Sequence, residues 1–263
     1  MSAADQFSNL VKIMARLRDA EKGCPWDLEQ DFSTIVPYTL EEAYEVADAI
    51  ERKDYMALRD ELGDLLFQVI FHAQIATEQR LFDIEHVCSG ICDKLIRRHP
   101  HIFADEAAAT PEAVARRWDE IKTEERATGS GQNQQGQMDG LASALPALKY
   151  AQKMQRRAAH VGFDWPDSEG ARDKLHEELA ELEAAQLEGT ARDIEEELGD
   201  LLFSCVNLSR HLGVDAEHAL RLASKKFAAR FRHMESLAES SLSELNSSEL
   251  EQLWLLSKNA ELH

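Results

Sequence analysis

The sequence predicts an all-α protein made of two tandem four-helix units, and three observations carry that expectation. Runs of β-branched and aromatic residues are nearly absent, while Ala, Leu, Glu, Lys, Gln and Arg fill long stretches with apolar residues three and four apart. The clearest break, Thr128 to about Leu145 (TGSGQNQQGQMDGLASAL), replaces that pattern with Gly, Ser, Gln and Asn. Across the break the chain repeats itself. With 263 residues there is room for two domains, so residues 1–127 are expected to form the first repeat, 128–144 a flexible linker, and 145–263 the second repeat.

Each repeat is expected to open with a leading helix, around residues 6–20 and 145–159. Two acidic helices follow, 38–52 with 56–78 and 169–187 with 191–211. There LEEAYEVADAI and DELGDLLF are answered by LHEELAELEAA and EELGDLLF. A slide of 136 places Glu41, Glu42, Glu45, Glu61, Leu62, Gly63, Asp64, Leu65, Leu66 and Phe67 on Glu177, Glu178, Glu181, Glu197, Leu198, Gly199, Asp200, Leu201, Leu202 and Phe203. Identities this dense, without a gap, mark a duplication rather than two unrelated amphipathic helices. A basic-flanked helix completes each unit, at 84–98 and 216–238. Here a slide of 132 brings Asp83, Glu85, His86, Lys94 and Arg98 onto Asp215, Glu217, His218, Lys226 and Arg230. A Trp followed four later by Lys closes each half, as Trp118/Lys122 and Trp254/Lys258. The polar C-terminal stretch reads as a linker and a short helix that returns Trp254 over the site.

Charge and composition narrow the function. A formal net charge of −20 argues against nucleic acid as a partner, because phosphate binding needs a basic face, and equally against an anionic membrane surface. No apolar run approaches the roughly 18 residues of a membrane span. The N-terminus has neither an apolar signal core nor a transit-peptide composition, so a cytoplasmic location is expected. Cys24, Cys88, Cys92 and Cys205 form no CxxC and have no His at zinc-ligand spacing; they read as reduced, partly buried thiols.

The acids carry the chemistry. Positions three apart on a helix lie about 60° apart around its axis, so Glu178 shares a face with Glu181, and Glu197 with Asp200. A short turn near Gly189 and Thr190 makes the two helices antiparallel neighbours, and four carboxylates converge. Such a group either takes up protons or takes up a cation. An all-carboxylate set suits Mg²⁺ or Mn²⁺. Four-helix di-iron sites use Glu-x-x-His, and no His follows these glutamates at that spacing. Solvated polar faces are the bland alternative. Against it stand the repetition in register and the mid-helix Gly63 and Gly199, each costing about 1 kcal/mol relative to Ala; a close approach of a neighbouring helix or a ligand would account for them.

These residues resemble the MazG family, the all-α pyrophosphohydrolases with ExxE followed by ExxD, here within EELAE and EEELGDLLF. GCPWD (23–27), KLIRRHPHIF (94–103), WDEIKTEE (118–125) and VGFDW (161–165) extend the resemblance over nearly the whole chain. It implies magnesium-dependent hydrolysis of ribo- and deoxyribonucleoside triphosphates between the α- and β-phosphates, giving a monophosphate and pyrophosphate, in a homodimer. On the second repeat it implies Glu178, Glu181, Glu197 and Asp200 as catalytic metal ligands. Substrate contacts would then fall to Lys174, Glu177, Glu195, Glu196, Lys226, Arg230, Trp254 and Lys258. Trp254 reads equally as a base-stacking residue or a core residue, and Lys226 with Arg230 as phosphate ligands or surface cations.

The first repeat keeps Glu42, Glu45, Glu61 and Asp64 as a second site. Tyr38 replaces Lys174 there, however, and Arg59 replaces Glu195, placing next to Asp60 and Glu61 a positive charge that can compete with a metal for the acids. Activity is therefore expected in the second repeat, as the resemblance implies. Residues 97–101 (RRHPH) read either as an anion-binding turn or as a helix stop. Two other functions fit the sequence: a non-catalytic helical interaction scaffold, and a pyrophosphohydrolase restricted to one nucleotide such as dUTP or dCTP.

Overall fold

The computed structural model describes residues 1–104 and 136–259, with 110, 113–114, 117–118, 120–121 and 125 between them. Lys122 and the first part of the expected linker, residues 128–135, lie outside the described residues. The chain divides into two compact units, Met1–Ala127 and Thr128–His263, and among the described residues every regular element is helical.

The first unit contains α1 (Ala3–Leu17), α2 (Pro25–Glu29), α3 (Phe32–Arg52), α4 (Tyr55–Glu78), α5 (Ile84–Arg98) and α6 (Pro100–Phe103). The second contains α7 (Ala147–His160), α8 (Ser168–Glu188), α9 (Ala191–His211), α10 (Ala216–Leu237) and, after a 3₁₀ turn at Leu242–Glu244, α11 (Ser247–Asn259). The hairpins α3/α4 and α8/α9 form the centre of each unit. Helices α1 and α5 pack on α4, α7 packs on α9 and α10, and α11 packs on α10.

Local chemistry sets the boundaries. In α8/α9 the turn is Gly189 followed by Thr190. A Cβ on Gly189 would lie 2.6 Å from the Ala185 carbonyl oxygen, and Thr190 exchanges side-chain and backbone hydrogen bonds with Asp193 in a capping box. In α3/α4 the same turn uses Lys53, held left-handed at φ 58°, and Asp54, which caps Ala57. Helix α3 starts at Phe32, six residues before the expected 38, because Asp31 and Thr34 form a capping box ahead of Pro37. Buried Ile35 then anchors that first turn in the core.

The first unit has an apolar centre of Met14, Ile35, Ile70, Phe71 and Ile75. Arg18, the C-cap of α1, reinforces it by meeting both oxygens of Glu78 at 2.9 and 2.7 Å and the Asp27 carbonyl at the GCPWD segment. The second unit is tied by polar contacts. Buried Gln152 and Gln155 of α7 donate to the carbonyls of Val214 and Phe203, each at 2.8 Å. Asp164 of VGFDW receives the Arg210 guanidinium on both oxygens and faces His211 at 3.1 Å.

Two expectations are corrected. Of the two neighbours expected at Gly63 and Gly199, a close-packed helix is absent among the described residues: a Cβ at either would meet no atom within 4 Å. The cysteines are free thiols, but Cys88, Cys92 and Cys205 are exposed and only Cys24 is half-buried. For Cys88 and Cys92 the cause is plain: α5 buries none of its residues.

Candidate metal and nucleotide site

Each hairpin gathers carboxylates from both of its helices. In the second unit, oxygens of Glu178, Glu197 and Asp200 lie within 4.8 Å of one another; in the first, those of Glu42, Glu45 and Glu61 do. The triads share two positions of the repeated quartet, Glu178/Glu42 and Glu197/Glu61, and differ in the third, Asp200 in one and Glu45 in the other. Glu181 and Asp64 stand just outside, yet each acts on the cluster electrostatically. Partial burial, then the charges of Glu181, Asp200 and Glu178, push the Glu197 carboxyl above the ordinary glutamate range. Burial, then Asp64, Glu45 and Glu61, do the same to Glu42. Burial and Glu45 lead the upward shift of Glu61. Carboxylates that raise one another in this way form a hard, all-oxygen donor set, which fits a divalent cation of the Mg²⁺ type.

The two clusters differ in their internal cation. Glu178 is 5% exposed, and the Lys174 Nζ lies 2.7 Å from its Oε1 and 2.7 Å from Glu177 Oε1. These two carboxylates raise the lysine pKa. Tyr38, in the corresponding place, packs edge-on to Trp26 with ring centroids 5.8 Å apart. Arg59 keeps its charge beside Asp60, as its place in the sequence implies. It pairs with its neighbour Asp60 at 2.7 Å, on a largely exposed surface.

The other candidate substrate residues sit on α9, α10 and α11. Glu195 and Glu196 are exposed on α9, and the charge of Glu196 adds to the shift of Glu197. Trp254 is half-buried. Its ring is 5.3 Å from that of Phe227, and the Arg230 guanidinium and Lys258 ammonium each lie 5.9 Å from its centroid. Lys226 is exposed one turn before Arg230. Trp254 thus packs on Phe227 of α10, as its core reading implies, and carries one cation from α10 and one from its own helix.

The first unit treats its equivalents differently. Trp118 packs on His99 at 5.0 Å, and Arg98 and Arg97 both bond Glu125, at 2.5 and 2.7 Å. Arg98, then Arg97, hold the Glu125 carboxyl down at about 2. The RRHPH segment is therefore a helix stop at His99 and Pro100 whose arginines already have a carboxylate. Sequence reasoning did not identify Glu125 as that partner, or Gly170 as a packing residue. A Cβ on Gly170 would strike the Trp165 ring at 2.6 Å; its place five residues after a motif tryptophan was the available signal.

Fold and site together define a duplicated all-α protein whose helical hairpins each present a carboxylate cluster suited to a hard cation. Residues 30–103 and 167–235 both match the MazG nucleotide pyrophosphohydrolase domain. The chain is 50% identical to the nucleoside triphosphate pyrophosphohydrolase of Escherichia coli strain K12, over 98% of this chain and 99% of that one. It is 44% identical to the nucleoside triphosphate pyrophosphohydrolase/pyrophosphatase MazG of Thermotoga maritima, over 97% and 96%. YabN of Bacillus subtilis is 35% identical over 97% of this chain, which spans 52% of that protein. The chain belongs to the MazG nucleotide pyrophosphohydrolase family.

Proposed function

We propose that the protein hydrolyses nucleoside triphosphates, ribo- and deoxyribo-, to the monophosphate and pyrophosphate in the presence of Mg²⁺, with Mn²⁺ as a substitute, and cleanses the cytoplasmic nucleotide pool. The observation that carries this reading is the convergence of Glu178, Glu197 and Asp200 within 4.8 Å, in a chain half identical to a protein named for that activity. Glu178, Glu181, Glu197 and Asp200 would hold the cation. Bound there, it supplies Lewis acidity at the phosphoryl oxygens and a water of lowered pKa.

The chain's own residues do the rest. Lys226 and Arg230, four apart on α10, bind polyphosphate oxygens and offset the charge that develops on departing pyrophosphate. Trp254 and Lys258 position the nucleoside end, and Lys174, Glu177, Glu195 and Glu196 line the rim. The second repeat is the catalytic one, since it sets Lys174 beside Glu178 and Glu177 where the first has Tyr38 packed on Trp26. Residues 128–144 serve as the linker. Homodimer formation is supported by the apolar surface of the second unit, where Leu179, Leu198, Leu202, Phe203, Phe227 and Phe231 are each 40% exposed or more.

Phosphorus NMR of the products from each NTP and dNTP, with Mg²⁺ or with excess EDTA, tests the reading. Monophosphate and pyrophosphate, formed only with the metal, are expected. Diphosphate with phosphate, or no metal-dependent turnover, would overturn it. Turnover of one nucleotide alone would narrow the substrate while keeping the reaction.

A further inference from the structure

Lys174 is poised between two roles that its surroundings make mutually exclusive. Its ammonium bonds Oε1 of Glu178, one of the three carboxylates that converge in the second unit. A divalent cation on that oxygen and an ammonium at hydrogen-bond distance from it would repel across a few ångströms, with little water between them to screen the charges. Glu178 cannot turn away, because its side chain is 6% exposed, whereas that of Lys174 is 39% exposed and has a way out. Glu177, one residue earlier on the helix and largely exposed, also holds the ammonium at 2.7 Å. It offers a second anchor that keeps a displaced lysine at the rim.

We propose that Lys174 is an exchangeable counter-ion of the second repeat: it neutralises buried Glu178, gives that carboxylate up to a divalent cation, and is thereby released toward the phosphates of the arriving nucleotide. This rests on the reading of the acids as metal ligands. Two consequences follow from charge alone. Free metal binds the second cluster weakly, because it must evict an ammonium, and it binds better when a polyphosphate is present to receive that ammonium. The coupling is reciprocal, so metal also tightens nucleotide binding. In the first repeat Tyr38 faces Trp26 instead, and its cluster takes a free cation without this competition. The second site thereby selects the metal–nucleotide complex over metal alone.

Electron paramagnetic resonance titration of Mn²⁺ alone into the full-length chain tests this, with Asp200→Asn and Asp64→Asn assigning the two clusters. Lys174→Met should tighten Mn²⁺ at the second cluster at least severalfold, and Tyr38→Lys should weaken it at the first. Unchanged or weaker binding in Lys174→Met overturns the proposal. If neither Asp200→Asn nor Asp64→Asn reduces bound Mn²⁺, the metal-ligand reading itself has failed, and the proposal with it. The unmodified chain provides a check independent of whether the variants fold. Acetylation of Lys174 by a soluble active ester, followed by mass spectrometry, should accelerate severalfold on adding Mg²⁺. A rate that stays flat while Mn²⁺ binding at the second cluster is demonstrated contradicts the exchange.

Discussion

Glu178 and Glu197, on different helices and 19 residues apart in sequence, hold carboxylate oxygens within 4.8 Å of each other, and Glu42 and Glu61 do the same in the other repeat. Helical periodicity alone would put each acid on a polar face. The α8/α9 hairpin, closed by Gly189 and the Thr190–Asp193 box, turns two polar faces into one cluster. Its cost to the fold is mutual repulsion.

That cost is measurable at Glu197. Its carboxyl titrates above the ordinary glutamate range, so its favourable contribution to stability is complete at pH values below that range and is lost as pH rises through the raised value. Once ionised, the group is a burden to the fold. Glu197→Gln should raise the melting temperature in EDTA by about 2 °C and abolish most of the further rise that Mg²⁺ gives the parent. Melts in EDTA and Mg²⁺ check both; a variant that melts lower in EDTA would contradict the repulsion.

The Arg97/Arg98–Glu125 contact has the opposite sign. Glu125 titrates at about 2, so its stabilisation is present above the ordinary glutamate range and fades as pH falls from that range through about 2. The pair is partly exposed, and Glu125→Gln should cost the first unit about 0.5–1 kcal/mol at neutral pH. The difference between parent and variant should shrink on acidification, which urea melts at several pH values would show.

Lys53 sits left-handed at the C-terminus of α3, at φ 58°, a position that favours glycine. Lys53→Gly should stabilise the first unit by about 0.5–1 kcal/mol and leave nucleotide turnover untouched. Chemical denaturation of the full-length chain measures it.

Trp254 carries cations on its face and Phe227 against it. If the nucleoside end binds there, Trp254→Ala should raise KM on the order of tenfold, the scale of one lost stacking contact, with a smaller effect on kcat. Trp254→Phe should recover most of the loss. Steady-state kinetics on one NTP separates the two constants.

The helical hairpins and the acids that converge in them were legible in the sequence, because apolar spacing fixes which helix faces turn inward and the duplication fixes the register. What escaped was decided by individual side chains. Glu181 lies outside its triad whereas its counterpart Glu45 lies inside, since long carboxylates choose among rotamers that spacing does not distinguish. Of the two acids that adjoin it in sequence, Arg59 paired with Asp60, a choice that spacing leaves open. The early start of α3 depended on the capping box of Asp31 and Thr34, which begins the helix ahead of Pro37. The open space beside Gly63 and Gly199 could be seen only once the neighbouring helices were in place.

The most direct test of the account is NTP turnover with Mg²⁺ in Asp200→Ala beside Asp64→Ala, both confirmed folded by circular dichroism. Asp200→Ala should lower kcat by about two orders of magnitude or more, while Asp64→Ala should leave it within about twofold of the parent. Full activity in Asp200→Ala, or an equal collapse in Asp64→Ala, would contradict the assignment of the reaction to the second repeat's carboxylates.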